Sequence, residues 1–242
     1  MLKRLILYAS ALFMFTVGAI LLGILIFPTV KIFSKGEKDY KQRCAAIVNK
    51  LWFFLIKYLK LTQIIDFEYD KKITKIENKI IVASHPSFID IVFLIALIPN
   101  SLCLVKTSIL NNFIMRNIVK SLYITNDGTI DDFFAKSKKA LDYGFNIIIF
   151  PTGKRVDEGE EVQIHKGAAK LSILTKKPIV PIKITTSEPF LTKNRSIFQI
   201  GKNIVNFQLE IGEEINPDVC FEENMTEISL RNKICLIIKK KI

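Results

Sequence analysis

Residues 80–90 read Ile80-Ile81-Val82-Ala83-Ser84-His85-Pro86-Ser87-Phe88-Ile89-Asp90. Four consecutive apolar residues, three of them β-branched, predict a short strand buried on both faces. Pro86 holds His85 in an extended conformation and suits the approach to a helix. Ser87 is placed to cap that helix, with Asp90 three residues later in its first turn. The stretch thus predicts a strand, a tight turn and a helix, with an imidazole at the strand's carboxyl end and a carboxylate at the helix start. In an open α/β sheet that edge is where ligands bind.

Outward from this point, short β-branched runs alternate with helical stretches. Strands are expected at 79–83, 102–105, 122–125, 147–150, 179–185 and 204–211, and helices at 90–97, 111–120, 130–142 and 165–175. Continuous apolar strands separated by helices predict an α/β fold with a mostly parallel central sheet covered by helices. Residues 226–241 read as an amphipathic helix with a basic end.

The amino-terminal part differs. Residues 5–27 carry no charge, and as a helix of about 35 Å they would cross a hydrocarbon core of about 30 Å. The run is too long for the apolar part of a cleaved signal peptide. It is expected to be a membrane helix, either spanning or dipping in and returning on the same side. The following basic residues (Lys31, Lys35, Lys38, Lys41, Arg43) favour an inner-membrane anchor with the main domain on the cytoplasmic side. Residues 45–59 then combine Trp52, Phe53 and Phe54 with Lys50 and Lys57, followed by Lys60. That pattern suits an amphipathic interfacial helix, or alternatively a helix packed on the core. The chain therefore divides into an anchor over 1–62 and a catalytic domain over 63–242.

Composition limits the partners. The formal net charge is +12, and half the residues are hydrophobic. A basic, apolar chain favours anionic lipids or acidic carriers. Nucleic acid is not expected, since only six residues are Arg and no nucleic-acid motif is present. The cysteines (Cys44, Cys103, Cys220 and Cys235) are too scattered for a zinc site or a disulfide framework. No metal and no cofactor are expected.

Only two histidines occur, His85 and His165. An imidazole with a pKa of about 6.5 can take the proton of a hydroxyl as it attacks a thioester. A carboxylate on the other ring nitrogen selects the tautomer and stabilises the imidazolium. His85 and Asp90 are the candidate pair, although a helix-capping Asp90 beside a turn His85 would give the same spacing. His165 precedes a helix start and is expected on the surface or as a cap.

The neighbouring segments distinguish the two readings. Ser84 to Asp90 resembles the Asn-His-x-x-x-x-Asp motif of the glycerolipid acyltransferase family, which includes the 1-acylglycerol-3-phosphate acyltransferases. Phe150-Pro151-Thr152-Gly153-Lys154-Arg155 resembles its Phe-Pro-Glu-Gly-Thr-Arg block. Lys166-Gly167 and Pro178-Ile179-Val180-Pro181-Ile182 are similar to its later pieces, and Val105-Lys106 falls where the family has a Lys. The resemblance implies acyl transfer from a coenzyme A or acyl carrier protein thioester to a hydroxyl of a lysophospholipid or related lipid. It implies His85 as base, Asp90 as its orienter and Arg155 as a ligand of an anionic acceptor. Gly153 would allow close backbone approach, and Lys154 and Lys106 would add positive charge.

The chain departs from the pattern at three places. Ser84 replaces Asn, Thr152 and Lys154 replace Glu and Thr, and 121–127 lacks the Arg of the second block. These departures point to acceptors other than lysophosphatidate, such as a lyso-aminolipid. They also leave room for a non-catalytic acyl-lipid-binding protein. A serine esterase is disfavoured, because no Gly-x-Ser-x-Gly elbow occurs.

Overall fold

The computed structural model describes residues 2–125, 128–156, 162–193, 196–197 and 199–242. The helices are α1 (Leu2–Leu21), α2 (Phe27–Ile32), α3 (Glu37–Leu61), α4 (Asp90–Leu97), α5 (Arg116–Leu122), α6 (Ile130–Asp142), α7 (Gly167–Thr175), α8 (Pro217–Cys220) and α9 (Glu227–Lys241). The strands are β1 (Ile65–Tyr69), β2 (Ile80–Ala83), β3 (Ser101–Val105), β4 (Ile124–Thr125), β5 (Asn146–Ile149), β6 (Ile179–Thr186) and β7 (Val205–Ile211). They form one sheet in the order β1-β7-β6-β2-β5-β3-β4, parallel throughout except for the β6–β7 pair.

Both faces of the central strands are buried, which explains their continuous apolar runs: β2 is fully buried at all four positions and pairs with β5 on one side and β6 on the other. Asn146, 1% exposed at the start of β5, ties the strand beginnings together. Its side chain accepts from the Lys79 amide (2.9 Å) and donates to the Ile76 and Pro99 carbonyls (both 2.9 Å). The sheet therefore fixes in register the strand ends from which the site projects.

Three boundaries differ from the expectations. Strand β1 did not stand out, because at the sheet edge its apolar residues alternate with Asp66 and Glu68 instead of forming a continuous run. Leu122 ends helix α5 and does not begin a strand; only Ile124 and Thr125 pair with β3. The helix expected over 111–120 is split into a 3-10 turn at Thr107–Asn111 and α5. Tertiary packing sets these ends, and local propensity does not.

Helix Leu2–Ile32 is long and apolar enough to cross a membrane, with a mean hydropathy of 2.5 over its best window. A wider turn at Leu22–Ile26 interrupts it just before Pro28, where Phe27 N–H donates to Leu22 O. Such a turn accommodates a proline that would otherwise break the ladder. The helix is held by the domain towards both ends. Near the start, Arg4 donates to the carbonyls of Gly201 (3.1 Å), Gln63 (2.5 Å), Ile64 (3.0 Å) and Asn203. Near the end, Gly23 lies so close to α5 that a Cβ there would be 2.9 Å from Asn117 Cβ. Between them Phe15 stacks on Trp52 at 5.0 Å. Helix α3 buries Cys44, Ala45, Val48, Trp52, Leu55, Ile56 and Leu59 in the main core, while Phe53, Phe54 and Lys57 face outward. It serves as a core helix and also presents an amphipathic outer face.

The Gly23 contact makes a stability prediction. Gly23→Leu must push the wider turn at Leu22–Ile26 off α5 and is expected to destabilise the fold by about 1–3 kcal/mol. Gly18→Leu, where nothing lies within 4 Å of the added Cβ, should be near neutral. Denaturant unfolding of the two variants in detergent tests the difference.

Candidate active site

The turn after β2 is built by the residues that leave it. Ser84 extends the β2–β6 pairing: its Oγ accepts from Ile184 N–H (2.7 Å) and donates to Ile184 O (3.1 Å). A short hydroxyl thus takes over the strand continuation at the position where the family pattern has Asn. Pro86 follows, and the chain turns so that Asp90 points back at it. Asp90 is fully buried. Its Oδ2 lies 3.0 Å from His85 Nδ1 and accepts from the Ser87 amide at 2.7 Å. Asp90 Oδ1 is buried with no hydrogen-bond partner among the described residues.

Ser87 does not cap helix α4, as its position had suggested. Its hydroxyl donates to Phe190 O at 2.5 Å, and the helix has no side-chain cap. The carboxylate of Asp90 takes a backbone amide of the turn instead, and Ser87 locks that turn to the segment after β6. Phe88 N–H donates to Leu191 O (3.1 Å), so the whole turn rests on residues 190–191. Leu191 itself adopts a left-handed conformation, φ 51°.

The imidazole of His85 is held on two sides. Phe150 stacks on it with centroids 4.0 Å apart and planes 17° apart. The backbone carbonyl of His85 accepts from Val156 N–H at 3.0 Å, tying the 150–156 loop to the His turn. Arg155 is anchored nearby: Nη1 donates to Leu191 O (2.8 Å) and Thr192 O (3.1 Å). Burial pushes the Asp90 carboxyl above its ordinary value, opposed by the His85 hydrogen bond and charge, the Ser87 amide and the positive charge of Arg155. The site therefore stores an unfavourable carboxylate whose ionised form depends on its neighbours.

His85, Arg155, Gly153, Lys154 and Lys106 all line one cavity of about 890 Å³ at the carboxyl ends of β2, β3 and β5. Asp90 stands behind His85, outside the lining. The lining brings Lys106, Lys154, Arg155 and Lys193 together with no Asp or Glu among its described residues. Its apolar members include Ile91, Leu104, Val105, Ile109, Phe133 and Ile149. The cavity thus presents a histidine beside cations and an apolar wall, as an amphiphile with an anionic head would require. Thr152 is 7% exposed and its hydroxyl donates to Lys154 O at 2.7 Å, so it shapes the loop.

His165 is exposed, as expected, and it also borders the cavity. Its backbone N–H donates to Pro151 O at 2.7 Å, and its ring lies beside Gly153. A Cβ on Gly153, whose φ is +64°, would lie 3.1 Å from His165 Nε2. His165 does not cap a helix: α7 starts at Gly167 and has no side-chain cap. Lys193 and the stacked Phe150 were also missed as site residues, because only the fold brings the 190–193 segment and the β5 end to His85. Of the segment 121–127, Asn126 and Asp127 lie outside the described residues.

Residues 64–185, half of the chain, match the acyltransferase family. The chain belongs to this acyltransferase family. The crystal structure of the 1-acyl-sn-glycerophosphate (LPA) acyltransferase PlsC from Thermotoga maritima has the same fold. It superposes with a TM-score of 0.71 over 99% of this chain and 95% of that one, at 18% identity. A comparison with curated proteins finds no match.

Asp90→Asn tests the arrangement in two ways. An amide oxygen at the Oδ2 position can still accept from the Ser87 N–H and face His85 Nδ1, but its NH₂ then takes the buried Oδ1 position that has no partner. The neutral amide also removes the charge that stabilises an imidazolium. Acyl transfer should fall by about 10²–10⁴-fold. Because the wild-type carboxyl pKa is raised, its burial costs stability as pH climbs from about 4 through that raised value. The stability of Asp90→Asn relative to wild type should therefore increase from pH 4 to neutral, measured by urea unfolding across that range.

Proposed function

We propose that this protein is a membrane-bound acyltransferase that moves a fatty acyl group from a coenzyme A or acyl carrier protein thioester to a hydroxyl of a lysophospholipid. The observation that carries the reading is the His85–Asp90 pair at a cavity whose lining holds both cations and apolar side chains. In this mechanism Asp90 holds the proton on Nδ1 of His85, leaving the outer nitrogen free to take the proton of the acceptor hydroxyl. The hydroxyl oxygen then attacks the thioester carbonyl. The tetrahedral intermediate collapses, the C–S bond breaks, and the thiolate takes the proton back from His85. No covalent enzyme intermediate is required.

Arg155, Lys106, Lys154 and Lys193 supply the positive field for an anionic acceptor head. Arg155 is the most specific of them, since its planar guanidinium is already oriented by the 191–192 carbonyls. The apolar wall receives hydrocarbon. A second acceptor class is favoured by Thr152, which stands where the family pattern has Glu and whose hydroxyl is spent on Lys154 O. Lyso-aminolipids therefore belong in the substrate panel.

Membrane attachment is supported by the outer surface of the first three helices. Leu2, Ile6, Phe13, Ile24, Leu25, Ile32 and Phe33 are exposed there, with Phe54 and Leu61 on α3. Lys50, Lys57 and Lys60 stand beside them as headgroup contacts. Because Arg4 and Gly23 both contact the catalytic domain, a helix that enters one leaflet and lies against the domain suits the geometry better than one that crosses.

The test is turnover by purified protein in detergent, with acyl-coenzyme A and acyl carrier protein thioesters against lysophosphatidate, other lysophospholipids and lyso-aminolipids. Thiol release and lipid product should rise together, and His85→Ala should lower both by about 10²–10⁴-fold. Thiol release without lipid product would mean hydrolysis. A folded wild type with no turnover on any pair would favour a binding protein.

A further inference from the structure

Residues 190–192 supply three carbonyls to the site, yet they lie in neither a helix nor a strand. Phe190 O accepts the Ser87 hydroxyl (2.5 Å), and Leu191 O accepts both Phe88 N–H (3.1 Å) and Arg155 Nη1 (2.8 Å). Thr192 O accepts the same arginine nitrogen at 3.1 Å. Among the described residues, none of the three donates a backbone hydrogen bond. Leu191 also holds φ 51°, a conformation that a leucine keeps only where its surroundings impose it. Side-chain packing therefore places the segment, since it has no ladder of its own.

Phe190 does the packing. It is 2% exposed, and its ring meets two others edge-on: Phe207 on β7 at 6.1 Å, and Tyr8 on α1 at 6.2 Å with the planes 74° apart. Phe207 is fixed by the sheet register. Tyr8 comes from the apolar amino-terminal helix and is itself buried. Its hydroxyl has no hydrogen-bond partner among the described residues. An unpaired buried hydroxyl costs stability, so what Tyr8 contributes here is its ring.

We infer that Tyr8 is a positioning residue for acyl transfer. Set against Phe190, it keeps the 190–192 carbonyls where they hold the Ser87–Asp90 turn, and through that turn the proton on Nδ1 of His85. The inference rests on the base role of His85 proposed above. Tyr8 is outside the cavity lining, and it acts through Phe190 and Ser87. The contact makes the apolar helix a support of the catalytic turn, in addition to any part it plays in attachment.

Histidine ¹⁵N NMR of the full chain in detergent reads the tautomer without requiring turnover. The chain has two imidazoles, and His165→Gln assigns them. Tyr8→Leu keeps apolar bulk but loses the ring edge. It should move neutral His85 towards the Nε2-protonated tautomer and lower kcat by about tenfold or more. Tyr8→Phe should retain both wild-type values. Phe15→Leu removes a ring contact of the same helix, that with Trp52, and should also retain both. Phe190→Leu should reproduce Tyr8→Leu, and the two together should lose no more than either alone. Tyr8→Met makes the same comparison if Tyr8→Leu does not fold. Wild-type tautomer and kcat in the folded Tyr8 variants, equal losses in Phe15→Leu, or losses that multiply in the double variant would overturn the assignment. A tautomer shift in Tyr8→Leu of a protein that turns over no thioester would sink the functional reading and leave the coupling standing.

Discussion

A carboxylate with no exposed surface governs the site. Ionised and unpaired at that depth, Asp90 would cost several kcal/mol. Its Oδ2 is therefore met by the Ser87 amide and His85 Nδ1, with the charge of Arg155 behind them. Each partner must itself be fixed, and the requirement spreads. Ser87 is held by Phe190, Phe88 by Leu191, Arg155 by Leu191 and Thr192, and His85 by the stacked Phe150. The 190–192 segment thus bears on both His85 and Arg155, though it lies behind them.

That segment also reaches the amino-terminal helix. Phe190 packs edge-on to Tyr8 at 6.2 Å and to Phe207 at 6.1 Å, and Phe207 continues to Phe93 on α4 at 5.0 Å. Aromatic contacts of this kind add to ordinary burial and have preferred angles. One continuous core therefore joins the apolar helix, the sheet and the helix that carries Asp90. The exposed apolar surface of α1 and the site share it, so α1 packs as part of the body.

The strand, turn and helix of residues 80–97 were legible because their signals are local: a β-branched run, a proline and a carboxylate three residues past the serine. The order of motifs from Ser84 to Ile182 likewise survives in one dimension. Where the reading failed, the deciding contact was distant. Ser87 looked like a cap because Ser commonly is one, yet Phe190, more than a hundred residues away, accepts its hydroxyl. His165 is exposed, as its ordinary neighbours in the chain suggested, yet the fold also sets its ring beside Gly153. Strand β1 was hidden by its edge position, where alternation leaves no continuous apolar run.

By itself the sequence determined the alternation of strands and helices, the apolar amino-terminal helix and the two residues that meet at the carboxyl end of β2. These follow from hydrophobic periodicity and from the restricted conformations of proline, both written residue by residue. Only the tertiary structure decided how deeply Asp90 is buried, which cations share the cavity, and that the apolar helix rests on the domain at Arg4 and Gly23. Burial and charge compensation are sums over neighbours from the whole chain, and those neighbours are chosen only when the sheet closes its register.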